Sequence, residues 1–124
     1  MNKILIIDDD QGILEVVKII LTDSGYEVFA IDDGENIMER VIKMNPDLIL
    51  LDLWMPGISG KEVCQTLKSH SETKDIPIIM LSASVNTKEV AEECKADGSL
   101  SKPFEMDELL DEVKNKLREK KTQN

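Results

Sequence analysis

The chain has 124 residues, 41% of them hydrophobic but only 3% aromatic, and a formal net charge of −10. That length fits one domain with an aliphatic core, and the acidic balance argues against nucleic acid as a direct partner, since phosphate binding needs basic surface. Cys64 and Cys94 are too few for a disulfide framework and lack metal-type spacing; with no signal pattern and no apolar run near the length of a membrane span, a cytoplasmic protein with two buried or half-buried reduced thiols is expected.

Short apolar runs alternate with amphipathic stretches five times. Residues 3–8 predict a first strand, continuously apolar as a strand buried on both faces should be. Residues 11–24 predict a helix with Ile13, Val16, Val17, Ile20 and Leu21 on its buried face and Gly25 just past its end. Glu27 to Ile31 reads as a more polar edge strand, residues 35–44 as a helix stopped before Pro46, and residues 47–52 as the third strand. Met55-Pro56-Gly57 places Pro and Gly as a type II turn prefers. Ser59-Gly60-Lys61-Glu62 has the form of a capping box opening a helix to about residue 69.

Residues 77–82 predict the fourth strand and 86–95 a helix, with Lys95 where a left-handed Gly cap is favoured, so that a loosened helix end is expected. Residues 98–101 are the fifth strand and 106–119 the last helix, acidic in its first turns and basic from Lys114 to Lys121, the order that complements the helix dipole. Met38, Met44, Met80 and Met106 are spaced as core filler, and His70 has no second ligand nearby and reads as solvated.

Alternating strands and helices imply an α/β fold, a doubly wound five-stranded parallel sheet with helices on both faces and right-handed crossovers. With no linker or repeat, residues 1–124 read as a single domain with its core at 3–117 and a basic, polar tail at 118–124. In such a sheet the carboxyl ends of the strands line one crevice. Asp8 and Asp9 close the first strand, Asp52 the third and Ser82 the fourth, and Lys102 follows the fifth.

Carboxylates crowded at one place repel, and a hard cation offsets them. Mg²⁺ (or Mn²⁺) suits an all-oxygen set of one or two carboxylates, waters and phosphate oxygens. Asp9 and Asp52 are the expected direct ligands, with the backbone carbonyl of Trp54 as a third and Asp8 acting through water. The alternative for Asp8, Asp9 and Asp10 is helix capping. An ionised Asp52 can attack phosphorus and form an aspartyl phosphate. The cation, Lys102 and the Ser82 hydroxyl then have one phosphoryl oxygen each to hold. The X-Pro bond of Lys102-Pro103 is where a cis peptide is expected.

Taken together, Ile6-Ile7-Asp8-Asp9-Asp10, Leu50-Leu51-Asp52-Leu53-Trp54-Met55-Pro56-Gly57, Leu81-Ser82-Ala83 and Lys102-Pro103-Phe104 resemble a response-regulator receiver domain, over residues 3–117. The resemblance implies the flavodoxin-like strand order 2-1-3-4-5. It implies that Asp52 accepts phosphate from a sensor histidine kinase, a phosphotransfer protein or a small phosphodonor, that Asp8 and Asp9 serve Mg²⁺, and that Ser82 and Lys102 contact the phosphoryl group. It implies a partner-binding face of fourth helix, fifth strand and fifth helix, and a monomer or a phosphorylation-dependent dimer. It implies a phosphoacceptor rather than a turnover enzyme. With no output domain following, a stand-alone carrier or docking protein is expected.

Two positions depart from the family pattern. Ser99 stands three residues before the lysine, where many members carry Tyr or Phe, so coupling of Ser82 to an aromatic rotamer is lost and room is left for partner side chains. Trp54 is expected as a half-buried ring on the turn, with shielding of the acyl phosphate as its other reading. Two other functions compete: a phosphorylation-independent interaction module, and an aspartate-nucleophile phosphatase using Asp8. Gln11-Gly12 after the acidic triplet and the lack of room for a cap count against the phosphatase. A flavin site lacks its Ser/Thr/Gly-rich loop after the first strand.

Overall fold

The computed structural model describes residues 2–83 and 86–122. Five strands, β1 (Lys3–Ile7), β2 (Glu27–Ile31), β3 (Leu48–Asp52), β4 (Ile78–Ser82) and β5 (Gly98–Ser101), alternate with five helices, α1 (Gln11–Asp23), α2 (Ile37–Met44), α3 (Gly60–Ser69), α4 (Thr87–Glu93) and α5 (Met106–Thr122). The strands pair in parallel in the order β2-β1-β3-β4-β5, the doubly wound, flavodoxin-like arrangement expected. A two-residue antiparallel ribbon, Trp54–Met55 against Ile58–Ser59, carries the Pro56-Gly57 turn, with Gly57 at φ 73° as the third residue of a type II turn requires.

Period-two alternation divides the core between the two faces of the sheet. Leu5, Ile7, Ile49, Leu51, Ile78 and Met80 pack with Ile37 and Val41 of α2, Leu67 of α3 and Ala91 of α4. Ile4, Ile6, Leu48, Leu50, Ile79 and Leu81 pack with Leu14, Val17 and Leu21 of α1 and Leu109, Val113 and Leu117 of α5. The strands covered on both faces are thus the continuously apolar ones. β2 is an edge strand with Glu27, Phe29 and Ala30 exposed.

Several details differ from the sequence expectation. On α1 the buried stripe is Leu14, Val17 and Leu21; Val16 faces solvent at 53% exposure. The segment is apolar around most of its circumference, so its periodicity does not select one stripe. α2 begins at Ile37 rather than residue 35, because Asp33 first turns the chain by accepting a bond from the Glu35 amide (2.9 Å) and Asn36 sits in the left-handed region at φ 53°. Met106 is no core filler; it opens α5 ahead of the buried face and is 55% exposed. His70 is exposed and its Nδ1 accepts from the Glu72 amide (3.2 Å).

α4 stops at Glu93, and its end is not loosened. Lys95 itself takes the left-handed conformation at φ 65°. Its amide bonds the Glu92 carbonyl (3.2 Å) and the Ala96 amide bonds the Ala91 carbonyl (2.8 Å), the two bonds of a Schellman motif. α5 continues to Thr122, into the stretch read as a tail; Gln123 and Asn124 lie outside the described residues, as does the Ser84 of the Ser-Ala-Ser turn. Among the described residues no helix is long and apolar enough to cross a membrane.

Candidate functional site

Parallel pairing brings the strand ends level. The Asp8 amide extends the β1–β2 ladder by bonding the Ile31 carbonyl (3.1 Å), the Leu53 amide bonds the Leu81 carbonyl (2.9 Å), and the Lys102 amide bonds the Ser82 carbonyl (2.8 Å). Asp8, Asp52, Ser82 and Lys102 are thereby set side by side along one edge. The Lys102–Pro103 peptide is cis, as expected.

The three aspartates after β1 have separate tasks. Asp10 is the N-cap of α1, its Oδ1 accepting from the Gly12 (2.9 Å) and Ile13 (3.2 Å) amides. Asp8 is fully buried; its Oδ1 accepts from the Asp10 amide (2.9 Å) and its Oδ2 from the Lys102 ammonium (2.8 Å). Asp9, between them, is exposed. Asp52 is 4% exposed, its Oδ1 lies 3.6 Å from Lys102 Nζ and accepts from the Trp54 amide (3.3 Å). The Ser82 side chain is buried at the same edge.

Asp8, Asp9 and Asp52 each offer a carboxylate oxygen, and these oxygens lie within 4.8 Å of one another. Burial, and then the charge of Asp8, push the Asp52 carboxyl up to about 6, against the pull of Lys102 and the Trp54 amide. Burial pulls Lys102 down, but its hydrogen bond and charge pairing with Asp8, and the charge of Asp52, outweigh that and hold it above the ordinary lysine value. One ammonium therefore faces the carboxylates of Asp8 and Asp52, and Asp9 adds a third carboxylate beside them. The donors are all hard oxygens and the charge deficit is cationic, so these residues fit Mg²⁺.

Trp54 is 63% exposed, not half-buried. It occupies the outward position of the ribbon while the next residue, Met55, turns into the core. One residue here went unnoticed in the sequence. Gly60, the first residue of α3, is buried, and a Cβ there would strike the Asp52 carbonyl oxygen and lie 2.7 Å from Leu53 Cα. The glycine is present for space, and it lets α3 press on the backbone that carries Asp52. Its signal was a glycine at the opening of a capped helix, where propensity disfavours it. Ser59 Oγ supplies the forward half of that capping box by accepting from the Glu62 amide (3.2 Å).

A family model for the response regulator receiver domain matches residues 4–114. The DNA-binding response regulator MtrA of Mycobacterium tuberculosis is 38% identical over 119 residues, 94% of this chain and 51% of that protein. The DNA-binding dual master transcriptional regulator RpaA of Synechocystis is 41% identical over 120 residues, 95% of this chain and 50% of that protein. The chain thus spans about half the length of the curated relatives it matches. Among solved structures, the chemotaxis response regulator CheY4 of Vibrio cholerae superposes with a TM-score of 0.85 at 32% identity, covering 94% of this chain and 98% of that one. The response regulator TrrA of Thermotoga maritima, solved in complex with Mg²⁺ and BeF, gives a TM-score of 0.83 at 36% identity over 94% of this chain and 99% of that one.

Proposed function

The chain belongs to the response regulator receiver domain family of two-component systems, and from that premise we propose that Asp52 is its phosphoacceptor, in a Mg²⁺-dependent reaction. The observation that carries this reading is the setting of Asp52. It is a nearly buried carboxylate with oxygens of Asp8 and Asp9 within 4.8 Å and the Lys102 ammonium, itself bonded to Asp8, 3.6 Å away. Nothing in the packing of the core requires that combination.

Asp9, Asp52 and the Trp54 carbonyl are the ligands we assign to Mg²⁺ (or Mn²⁺), with Asp8 acting through water; bound there, the ion supplies positive charge to the phosphoryl oxygens. Asp52 must be ionised to attack. An Asp52 oxygen then forms a bond to phosphorus in line with the bond that breaks, the N–P bond of a phosphohistidine or the O–P bond of a small acyl phosphate. Lys102 turns its ammonium from Asp52 to a phosphoryl oxygen, and the Ser82 hydroxyl donates to another. Asp8 keeps Lys102 charged and at hand throughout. Asp8 is a poor nucleophile by comparison, since it is fully buried and both its oxygens already accept hydrogen bonds.

The donor is a sensor histidine kinase or a phosphotransfer protein, and residues 3–117 form the receiver unit. The output is a change at the face of α4, β5 and α5, read by a downstream protein or by a second copy. Ser99 is half-buried on β5 beside Met80, and it leaves this face without an aromatic switch.

The test is intact-mass spectrometry after incubation with Mg²⁺ and acetyl phosphate, wild type beside Asp52→Asn. A single phosphoryl adduct on the wild type and none on the variant is expected. An adduct that persists in Asp52→Asn overturns the assignment. So does the absence of any adduct, if a phosphorylated histidine kinase also fails to deliver one.

A further inference from the structure

The chain's two cysteines are 30 positions apart, yet they meet. Cys64 lies on α3, and Cys94 ends α4. Both are buried. Cys64 Sγ donates to the Cys94 carbonyl (3.4 Å), and Cys94 Sγ donates to the Ala91 carbonyl (3.5 Å). The Cys64 thiol thus lies against the residue that carries the second thiol, and the two side chains interact. Burial, and then the Cys94 thiol beside it, push the Cys64 thiol up, so Cys64 is inert while α4 stays docked.

The pair is not sealed from solvent on every side. A cavity of about 270 Å³ opens between α3 and the end of α4, lined by Gln65, Lys68, Ser69, Glu93, Cys94 and Lys95. Glu93 is held by Lys61 (2.7 Å), and Lys68 is held by Asp97 and the Ile76 carbonyl (2.8 Å). Lys95 is exposed at the mouth, where its left-handed backbone sets it beside Cys94. Among the described residues α4 is the shortest helix, seven residues with Thr87 and Ala91 buried. Short elements with few buried contacts open at low free energy.

We infer that Cys64 and Cys94 form an oxidation site, a dithiol that exchanges with a small anionic disulfide such as glutathione disulfide at this cleft and closes to a Cys64–Cys94 bridge between α3 and α4. The Cys94 thiolate attacks one glutathione sulfur. The glutathione S–S bond breaks, a Cys94–glutathione bond forms, and one glutathione thiolate leaves. The Cys64 thiolate then attacks the Cys94 sulfur and releases the second glutathione. The two protons lost by the cysteines end on the two glutathiones, so the protein is oxidised by two electrons and glutathione disulfide is reduced by two. Cys94 is the entry sulfur because it lines the cleft, and Cys64, behind it, is the resolving one. The site uses none of the residues at the strand ends and stands or falls independently of Asp52.

The full chain is incubated with glutathione disulfide, quenched with N-ethylmaleimide in denaturant and weighed intact. The wild type is expected to lose two hydrogens and take up no maleimide. Cys64→Ser is expected to hold a stable glutathione adduct, and Cys94→Ser to remain unmodified. Lys95→Glu is expected to slow the reaction several-fold with glutathione disulfide and to leave it unchanged with uncharged hydroxyethyl disulfide. Two maleimides on the wild type, under conditions that oxidise an exposed dithiol peptide, overturn the proposal. A glutathione adduct that persists on the wild type also overturns it, because closure has then failed. Equal slowing with both disulfides removes the anionic preference. The wild-type measurement decides the matter even if a serine variant does not fold.

Discussion

Lys102 is bound more closely to Asp8 than to Asp52: its ammonium lies 2.8 Å from Asp8 Oδ2 and 3.6 Å from Asp52 Oδ1. The fully buried Asp8 is its resting partner. Removing one member of a buried ion pair leaves the other charge uncompensated. Lys102→Met is therefore expected to lower unfolding stability by about 3 kcal/mol at neutral pH in EDTA. Adding Asp8→Asn should restore part of the loss. Urea melts of the two single variants and the double variant check this, and simple additivity would sink the pairing.

Burial, and then the charge of Asp8, push the Asp52 carboxyl up from its ordinary 3.8 to about 6. A carboxyl raised by folding contributes stability that is fully present below 3.8 and is lost as pH rises through about 6. Asp52→Asn, which removes the titrating charge, is thus expected to be more stable than the wild type at pH 7 without metal, by up to about 3 kcal/mol. The difference should shrink steadily as the pH is lowered to 4. Thermal melts of both proteins across that range, in EDTA, provide the measurement. A gap that widens toward acid would mean the opposite shift.

Gly60 touches backbone that cannot give way. Gly60→Ala is expected to cost about 2 kcal/mol through overpacking and to slow phosphorylation by acetyl phosphate. Gly12→Ala is the comparison: the atom near its new Cβ is the Asp10 carboxylate, at 3.2 Å, and its stability should stay within about 1 kcal/mol of wild type. Equal behaviour of the two variants in melts and in the mass assay would remove Gly60 from any role at the site.

Lys95 holds a left-handed backbone, which L-residues with a side chain resist. Lys95→Gly is expected to stabilise the protein by about 0.5–1 kcal/mol, less than the full left-handed penalty because glycine also loosens the unfolded chain. A denaturant midpoint that falls on substitution would show that the Lys95 side chain contributes more than its backbone costs.

What was legible in the sequence, and what was not, follows from period and burial. β1, β3 and β4 are packed on both faces and read as unbroken apolar runs, so their ends, and hence Asp8, Asp52 and Ser82, could be located from the chain alone. Lys102 followed from the short fifth run and its proline. Which of Asp8, Asp9 and Asp10 caps α1 could not be read, because the three side chains are alike and only their phase relative to the first turn of α1 makes Asp10 the cap. Val16 stands in the sequence-expected face in place of the buried Leu14 for the same kind of reason, since an apolar majority on α1 blurs its phase. Gly60 was hidden because the close contact it permits is with backbone from another segment, and Lys95 because a Schellman motif is fixed by main-chain bonds as well as by its residue type.

The alternation within β1 has a historical corollary. Leu5 and Ile7 belong to one layer of the core, Ile4 and Ile6 to the other, and Asp8 follows at once. The strand behaves as a reading frame with a fixed stop. Losing one residue from it would exchange the side chains offered to the two layers and, in the same event, draw Asp8 away from Lys102. Insertions and deletions are therefore filtered twice in the strands and hardly at all at surface turns such as that around His70. Descent in such a chain should be recorded as constant strand length, five residues in each of β1 to β4, with variable spacing between.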